Sequence, residues 1–548
     1  MRSSARSVLA LEFCALAASG IAAGICFWPG NYGLLFWFVF APFFLIIMKR
    51  DWKAAFFRGW LFGSFAWMSG MYWFVPPLLK FLNIHLAAAL ALFLAVCAWH
   101  GLSFALLAGA TRALNGYLAP RLGWTDGTIL LLTAAPVMAA IERFFPMLFP
   151  VYFANTQYFH LPQVQLLEIF GPAGPLWLIM GFNVAVYMLV EAVRERSSGT
   201  KRDGAGGLSY PASVFGALCV LALLNEYYGS LRIRQLDEAV KKEAARGHSL
   251  KVSAIQGSVP VDSGETLAAY RSLTAETLRT NRPELIIWPE SVYGRTAVYG
   301  AGRGPSGQET VFEPAFARAL RADAPWKTYM LMGAGGRLLD GPEQAAKRNI
   351  AFLTGPDREL LGLTEKRRLF PFGEYIPLGG SFPALYRLFP RSDDISPGGS
   401  SQLLSFAGVR AGVVICYEDL YTEASREFAK KGANVLFNIT NEARFGFEVS
   451  PEQHLNFSAL RAIENRKFLV RAVNTGISAV IDPAGRITDR LAVKERGAVT
   501  AGIQLMDRRT FYCAHGDLLC LFGILLVLAL VLFAGIKCRF TTFYRKNF

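Results

Sequence analysis

The sequence predicts a polytopic α-helical membrane bundle joined to an α/β domain. Of the 548 residues, 53% are hydrophobic and only 18% are charged, which is too apolar for an ordinary soluble protein of this size. The apolar residues are concentrated in stretches long enough to cross a bilayer, which takes roughly 17–25 residues. Between the last two stretches, short apolar strand patterns alternate with helix patterns, as they do in layered α/β folds.

About eight apolar stretches predict membrane spans. They cover residues 8–27, 32–48, 57–75, 86–110, 127–142, 173–193, 208–224 and 518–536. The first stretch follows Arg2 and Arg6 and resembles a signal peptide, but no convincing cleavage site follows it, so we interpret it as a retained helix. We expect a bundle of about seven helices over 1–224, a polar domain over 225–517, and a last span with its tail over 518–548.

Basic residues flank the predicted spans unevenly, and this asymmetry predicts their orientation. On one side of the membrane, the short loops carry Lys80 and Arg143. The richer side carries Arg2, Arg6, Lys49, Arg50, Lys53, Arg58, Arg112, Arg121, Arg194, Arg196, Lys201, Arg202, Lys537, Arg539, Arg545 and Lys546. The positive-inside rule places both termini in the cytoplasm and the polar domain on the opposite face of the membrane. A miscounted span would reverse this orientation.

The composition argues against several classes of function. The net charge of +15 does not predict binding to nucleic acid, because the polar region has no basic stripe interleaved with aromatic residues. Most of the eight cysteines lie in or beside apolar stretches, without a disulfide framework or a CxxC zinc pattern. The six histidines are scattered. We therefore expect no metal and no cofactor.

A cysteine at the junction of a strand pattern and a helix pattern is the first catalytic candidate. In VVICYEDL (413–420), β-branched residues precede Cys416 and two acidic residues follow it closely. Backbone N–H groups and the helix dipole at such a junction would lower the pKa of a thiol and stabilise an oxyanion. A buried structural cysteine is the alternative. A dyad with His454 is conceivable, but that histidine lies in a helix pattern and fits a solvated or packed residue better.

Two further strand patterns end in ionisable residues. Glu290 follows LIIWP (285–289), where a partly desolvated carboxylate could act as a base. Lys366 ends a strand pattern and Glu374 follows it, so the pair could supply a cation for a developing oxyanion and a partner to hold it. Taken alone, Glu290 could equally be a solvated loop carboxylate, and Lys366 is better explained as a surface lysine.

Glutamate, lysine and cysteine in this order, each after an apolar strand, resemble the nitrilase superfamily of carbon–nitrogen hydrolases. The chain is more closely similar to the membrane-bound branch of that superfamily, the apolipoprotein N-acyltransferases. The layout of spans around a polar domain matches that branch over essentially the whole chain. The matching segments are QG (256–257), IIWPES (286–291), KRRLFPFGEYIP (366–377), ICYED (415–419), NITNEA (438–443) and NTGISA (474–479).

The resemblance implies an α-β-β-α sandwich on the periplasmic face of a bacterial inner membrane. It implies Glu290 as general base, Lys366 as oxyanion stabiliser and Cys416 as nucleophile. It also implies supporting roles in the active site for Glu374, Tyr417 and Glu418. The implied reaction moves an acyl chain from a phospholipid, typically phosphatidylethanolamine, to the amine of the diacylglyceryl cysteine of an apolipoprotein. The covalent intermediate would be a thioester on the cysteine.

The chain departs from the family pattern at a few positions. Arg444 stands where the family often has tryptophan, and Thr364 stands where it usually has tyrosine. A tryptophan that commonly follows the QG pair is missing from Ser258–Thr266. None of these departures removes a member of the implied triad. They concern the lipid headgroup preference and the shape of the pocket.

Two other functions remain open from the sequence. A membrane-anchored amidase could hydrolyse a small amide with the same triad, although it would not need a bundle of about seven spans. A transporter or receptor with a vestigial domain would carry ionisable residues along a transport path. The ionisable residues of the spans instead lie near span ends, at Glu12, Glu142, Arg143 and Glu191.

A segment with apolar residues between glycine-rich ends, 379–401, predicts a hinged flap for lipid access. We expect it to dip into the outer leaflet, where Arg387 and Arg391 would meet phosphates. Packing on the domain's own core is the alternative. The flap residues expected at the lipid are Phe382, Leu385, Leu388 and Phe389, with Phe445 and Phe447 as a second apolar tip.

Overall fold

The computed structural model describes residues 2–82, 84–198, 207–260, 263–304, 307–338, 346–388, 394–399, 401–443 and 449–547. The chain forms two compact units. A helical unit comprises Met1–Val75, Leu86–Arg232 and His515–Phe548. An α/β unit comprises Pro76–His85 and Ile233–Ala514.

Helices precede, separate and follow the strands of the chain. In chain order they are α1 (Arg2–Ile25), α2 (Phe40–Ile47), α3 (Trp52–Gly70), α4 (Val75–Leu82), α5 (Leu86–Leu122), α6 (Asp126–Phe144), α7 (Leu161–Val164), α8 (Leu167–Phe170), α9 (Ala173–Ser197), α10 (Ser209–Ala245), α11 (Thr266–Thr280), α12 (Pro314–Asp323), α13 (Leu385–Leu388), α14 (Thr422–Lys430), α15 (Val449–Asn465), α16 (Phe511–His515) and α17 (Leu518–Asn547). The short segment Cys416–Leu420 is a 3₁₀ helix.

Within the described residues, six helices are long and apolar enough to cross a membrane. They are Ser7–Ile25, Leu86–Leu122, Asp126–Phe144, Ala173–Ser197, Ser209–Ala245 and Leu518–Arg539. The predicted span 32–48 is instead a shorter apolar helical segment, Gly33–Ile47. The predicted span 57–75 lies largely in α3, which carries Lys53 and Arg58. The membrane-bundle class is confirmed, with two of its expected spans shorter or less apolar than the others.

Close packing of α3 against α5 depends on glycine. A Cβ atom on Gly59 would lie 2.3 Å from the carbonyl oxygen of Phe104, and one on Gly63 would lie 2.8 Å from that of Gly101. Small residues let helix backbones approach each other where no hydrophobic effect drives helices together, as in a bilayer. The α3–α5 contact is therefore specified by these glycines.

The α/β unit contains two sheets. Its strands are β1 (Ser249–Gln256), β2 (Leu285–Ile287), β3 (Ala297–Gly304), β4 (Gly307–Phe312), β5 (Tyr329–Leu338), β6 (Lys347–Thr354), β7 (Leu360–Glu365), β8 (Leu404–Phe406), β9 (Val409–Ile415), β10 (Val435–Thr440), β11 (Leu469–Val473), β12 (Ala479–Ile481), β13 (Ile487–Arg490) and β14 (Gly497–Gln504). The eight-stranded sheet has the order β14-β1-β2-β5-β3-β4, with β6 joining β5 to β7. The six-stranded sheet has the order β13-β12-β11-β10-β9-β8.

The alternation of side chains along β2 shows how the layers form. Leu285 and Ile287 belong to a core shared with Val413 of the other sheet, whereas Ile286 belongs to a core shared with Phe316 of α12. Successive residues of a strand point to opposite faces, so one face packs on the second sheet and the other on helices. On the second sheet, α14 contacts β9 and α15 contacts β11. The α-β-β-α sandwich is therefore confirmed.

Candidate active site

Each of the three predicted catalytic residues lies at or just beyond the end of a strand. Glu290 follows β2, Lys366 follows β7 and Cys416 follows β9. β2 runs parallel to β1 and β5 in one sheet, and β9 runs parallel to β10 in the other. The carboxyl ends of parallel strands share one edge of a sheet. These edges of the two sheets meet, so the residues that follow the strands come together there.

Lys366 lies between two carboxylates. Its Nζ atom donates to Oε1 of Glu290 at 3.1 Å and to Oε1 of Glu374 at 2.8 Å. The lysine side chain is only 1% exposed. Burial by itself would lower the pKa of Lys366, but the neighbouring carboxylates of Glu290 and Glu374 outweigh it and raise that pKa well above its ordinary value. Lys366 is therefore an ammonium that can donate hydrogen bonds and cannot serve as a base.

Two asparagines hold the carboxylates in place, and sequence reasoning gave neither of them a role. Nδ2 of Asn349 donates to Glu290 at 2.7 Å and to Glu374 at 3.2 Å. The backbone N–H of Asn441 donates to the second oxygen of Glu290 at 3.0 Å. The signal for Asn349 is a polar residue inside the otherwise apolar strand β6, where a buried amide needs partners.

Cys416 has an unusual backbone conformation. Its φ angle is +54°, in the left-handed region that non-glycine residues rarely adopt. The side chain of Asn438 donates to the Cys416 carbonyl at 3.2 Å, and the Thr440 hydroxyl donates to the oxygen of the Asn438 side chain at 2.6 Å. These bonds stabilise the turn that carries the thiol between β9 and the 3₁₀ helix.

The expectation of a lowered thiol pKa is wrong. Burial, first, and the carboxylate of Glu290, second, raise the pKa of Cys416 well above its ordinary value, although Lys366 acts in the opposite direction. The short 3₁₀ helix that begins at Cys416 has too few aligned peptides to compensate. The raised pKa favours the neutral thiol form of Cys416.

Glu418 joins the cysteine turn to the segment after Lys366. Its carboxylate accepts from the backbone N–H of Ile415 at 2.9 Å, Arg367 at 2.8 Å and Arg368 at 3.1 Å. Burial raises the pKa of Glu418, and these backbone bonds work against that rise. Through these bonds, Glu418 holds the cysteine turn and the segment after Lys366 in place.

Tyr417, the other residue that follows the cysteine, is buried. Its hydroxyl contacts that of Tyr421 at 2.9 Å, and its ring meets the ring of Phe370 edge-on at 5.3 Å. Phe370 donates its backbone N–H to the second oxygen of Glu374 at 2.7 Å. Tyr417 therefore packs against the segment that holds Glu374.

His454 does not pair with Cys416. Its two ring nitrogens contact Oδ1 of Asp419 and Oε1 of Glu442, each at 2.6 Å. Both nitrogens are engaged, so this is the packed histidine that the helix pattern favoured. In the part of the chain that the structure describes, no group of three or more His, Cys, Asp or Glu side chains is arranged to hold a metal ion.

The predicted flap is described only in part. Phe382 is 59% exposed, and Leu385 is partly buried in α13. Two further apolar residues of the same region, Phe372 and Leu378, are 40% and 70% exposed and were not singled out from the sequence. Outside the described residues lie Phe389, Arg391, Phe445 and Phe447, and also the side chain of Leu388.

Comparisons with known proteins agree with the two-unit architecture. The carbon-nitrogen hydrolase family model matches residues 251–511, and the model for the apolipoprotein N-acyltransferase N-terminal domain matches residues 19–185. The apolipoprotein N-acyltransferase of Geobacter metallireducens is 28% identical over 527 residues, covering 93% of this chain and 94% of that protein. A solved carbon-nitrogen hydrolase from Helicobacter pylori is 16% identical, covers 47% of this chain and 90% of that chain, and has a TM-score of 0.35.

One relative is more similar in sequence over a shorter stretch. The apolipoprotein N-acyltransferase of Chlorobaculum tepidum is 31% identical over 411 residues, which cover 69% of this chain and 72% of that protein. Together with the match of an N-terminal and a hydrolase-type family model in the expected order, this similarity assigns the family. The chain belongs to the apolipoprotein N-acyltransferase family.

Proposed function

We propose that this enzyme transfers an acyl chain from a phospholipid to the N-terminal amine of the diacylglyceryl cysteine of apolipoproteins, through a thioester on Cys416. The reaction completes the maturation of lipoproteins. Phosphatidylethanolamine is the proposed donor. The observation that carries the mechanism is the Lys366 ammonium, held between Glu290 and Glu374 beside a protonated thiol.

In the first half-reaction, Glu290 takes the proton of the Cys416 thiol, and the sulfur attacks the ester carbonyl of the phospholipid. Lys366 donates a hydrogen bond to the oxyanion of the tetrahedral intermediate. The intermediate then collapses: the C–O bond to the glycerol breaks, and Glu290 returns the proton to the departing alkoxide. The products are lysophospholipid and an acyl thioester on Cys416.

In the second half-reaction, the neutral amine of the apolipoprotein attacks the thioester. Glu290 takes a proton from the attacking nitrogen, Lys366 again donates to the oxyanion, and the C–S bond breaks. The proton on Glu290 then returns to the sulfur, so the enzyme regains its neutral thiol. Because both half-reactions develop the same oxyanion, one arrangement of Glu290 and Lys366 serves both.

Acyl transfer is favoured over hydrolysis of a small amide. The relatives that match most of the chain are apolipoprotein N-acyltransferases, and the matched N-terminal model belongs to the same family. Two lipid substrates also explain why a domain with this chemistry shares a chain with helices able to cross a membrane. An amidase acting on a small amide, the alternative function, would need no such helices.

We also propose an orientation for the enzyme in the bacterial inner membrane. The basic residues that flank the apolar stretches favour cytoplasmic termini and a catalytic domain on the periplasmic face. The diacylglyceryl acceptor and the phospholipid donor are both available at that face.

Mass spectrometry of an acyl adduct tests the proposed reaction. The purified full-length enzyme is incubated with phosphatidylethanolamine that carries an isotope-labelled acyl chain. We expect the peptide with Cys416 to gain the mass of the labelled fatty acid minus one water, and to lose it when a diacylglyceryl cysteine peptide is added. Absence of the adduct, or its loss to water at the same rate without the peptide, would contradict acyl transfer.

The exposed apolar residues near the predicted flap give a second test. Replacing Leu378 and Phe382 by serine should slow acylation by phospholipid vesicles at least about tenfold, because burying each large apolar side chain is worth about 1.5–3 kcal/mol and about 1.4 kcal/mol is a factor of ten. A water-soluble short-chain ester needs no extraction from a bilayer and should react at nearly the wild-type rate.

Leu361→Ser is the matched control for these variants. Leu361 is also exposed, at 38%, but it lies on β7, outside the segment 379–401. It should react with both substrates as the wild type does. If Leu378→Ser/Phe382→Ser lost the same factor on both substrates at unchanged thermal stability, the region would have no part in lipid access.

A further inference from the structure

A second buried polar cluster lies next to the residues described above. It is formed by Asp419, Glu442, His454, Ser458 and Arg471, whose side chains are at most 15% exposed. These residues come from the 3₁₀ helix after Cys416, the segment after β10, helix α15 and strand β11. The proposed half-reactions use none of them.

The geometry favours a doubly protonated ring at His454. Each of its ring nitrogens lies 2.6 Å from a carboxylate oxygen, one of Asp419 and one of Glu442. An ionised carboxylate only accepts hydrogen bonds, so both nitrogens must carry a proton. The cluster then holds an imidazolium and the guanidinium of Arg471 against two carboxylates, and its charges balance.

Glu442 depends on His454 for its position. Only its Oε1 atom accepts hydrogen bonds among the described residues, from His454 at 2.6 Å and from Arg471 at 3.3 Å. Its other oxygen lies where Gly476 has no side chain, since a Cβ there would approach it to 1.7 Å. The short bond to His454 is therefore the main polar contact that fixes Glu442.

Both ends of this bridge are joined directly to catalytic groups. Glu442 is the neighbour of Asn441, whose backbone N–H donates to Glu290 at 3.0 Å. Asp419 lies on the same 3₁₀ helix as Cys416 and is also held by Arg471 at 2.8 Å. A bond between Asp419 and Glu442 through one imidazolium thus connects the turn of the nucleophile to the segment that holds the base.

We propose that His454 is a positioning residue: its doubly protonated ring joins Asp419 to Glu442 and thereby holds the Asn441 N–H on Glu290. The inference rests on the role proposed above for Glu290 as the base. When the ring loses one proton, one of the two carboxylate contacts loses its hydrogen bond, and the cluster carries an uncompensated negative charge. Glu290 then loses part of its alignment with the thiol.

The sign of the pH dependence follows from the neighbours of His454. Burial alone would lower its pKa, but Asp419 and Glu442 outweigh burial and the opposing Arg471, so the pKa is raised. A raised pKa means that the bridge is complete at low pH and is lost as pH rises through the folded-state value. The rate of thioester formation should therefore fall on the alkaline side.

Several other charged groups on the elements around His454 pair outside the cluster, among them Glu452 of α15, which pairs with Arg490. On α15, Arg461 pairs with Glu464 at 2.7 Å. On α14, which packs against α15, Glu423 pairs with Arg368, Glu427 pairs with Arg367, and Arg426 donates to the carbonyl of Cys513. On the 3₁₀ helix, Glu418 accepts from three backbone N–H groups. The facing charges are thus those of Asp419, Glu442 and Arg471.

His454→Gln is the central variant of the test. In the full-length enzyme, the rate of thioester formation from labelled phospholipid is measured against pH and donor concentration. We expect kcat to fall about ten- to a hundredfold, because a displacement of about 1 Å of a catalytic group can cost about 10²-fold. KM should change less than about twofold, since no contact with the donor is removed. The alkaline fall that the wild type shows should be absent.

His248→Gln is the matched control. His248 also contacts a carboxylate, Oε2 of Glu243 at 2.8 Å, but its side chain is 52% exposed and it bridges no second acid. Its rate and pH profile should equal those of the wild type. Cys416→Ala and Glu290→Gln are run in parallel, so that failure of the proposed chemistry is seen separately from failure of the bridge.

Glu442→Gln provides a second variant if His454→Gln does not fold. Removing one carboxylate charge should lower the pKa of His454 and move the alkaline fall to lower pH. The inference is overturned if His454→Gln keeps the alkaline fall, or if it loses rate only in proportion to thermal stability with an unchanged pH profile. An unmoved alkaline fall in Glu442→Gln would overturn it as well.

Discussion

Cys416→Ala is expected to abolish acyl transfer, with a loss of more than about 10³-fold in rate. The proposed thioester forms on the sulfur atom of Cys416, and alanine offers no nucleophile. Cys416→Ser should be nearly as inactive, because a serine hydroxyl is far less acidic than a thiol and Glu290 is a weak base for it. The measurements are release of lysophospholipid and acylation of a diacylglyceryl cysteine peptide.

The alanine variant should remain folded. Alanine at φ +54° is no worse placed than cysteine, so the free energy of unfolding should change by less than about 1 kcal/mol. Cys513→Ala is the control, since Cys513 is a buried cysteine of the α/β unit that lies in α16, and it should retain activity. Near-normal activity of Cys416→Ala would rule out the covalent mechanism.

Lys366→Met should lower the rate of thioester formation by about 10²–10³-fold, the usual effect of removing one oxyanion donor. Methionine matches the length of lysine but carries no charge. Glu290 and Glu374 would then face each other with Asn349 as the one side chain that bonds both among the described residues. Breaking a buried ion pair on one side costs about 3–5 kcal/mol of unfolding free energy.

A double variant separates the two effects of Lys366. In Lys366→Met/Glu374→Gln, one of the uncompensated carboxylates is neutral, so the thermal stability should partly recover. The rate should stay low, because the oxyanion donor is still missing. Recovery of both together would mean that Lys366 acts on the rate only through folding.

In the proposed mechanism Glu290 and Lys366 serve the same transition state, so their losses should be strongly non-additive. Glu290→Gln should slow thioester formation, and the double variant Glu290→Gln/Lys366→Met should be little slower than the worse single variant. Independent roles would instead make the two losses multiply. Formation of the adduct at the wild-type rate in Glu290→Gln would exclude Glu290 as the base.

The sequence alone determined the class of the fold and the identity of the central residues. The apolar spans are visible because a bilayer demands long runs of apolar residues, which is a property of composition and length. Glu290, Lys366 and Cys416 are visible because each follows a strand pattern, and strand ends are local signals. The order of these motifs along the chain carried the resemblance to the family.

Tertiary structure alone decided how these residues are held and charged. Asn349 and Glu290 are 59 positions apart, and Lys366 and Glu290 are 76 apart, so no local pattern shows that they touch. The pKa of Cys416 is raised and not lowered, because burial and a carboxylate from another sheet outweigh the local effect of the helix end. Hydrogen bonds and desolvation depend on which segments meet in space, whereas span length and strand alternation are written along the chain.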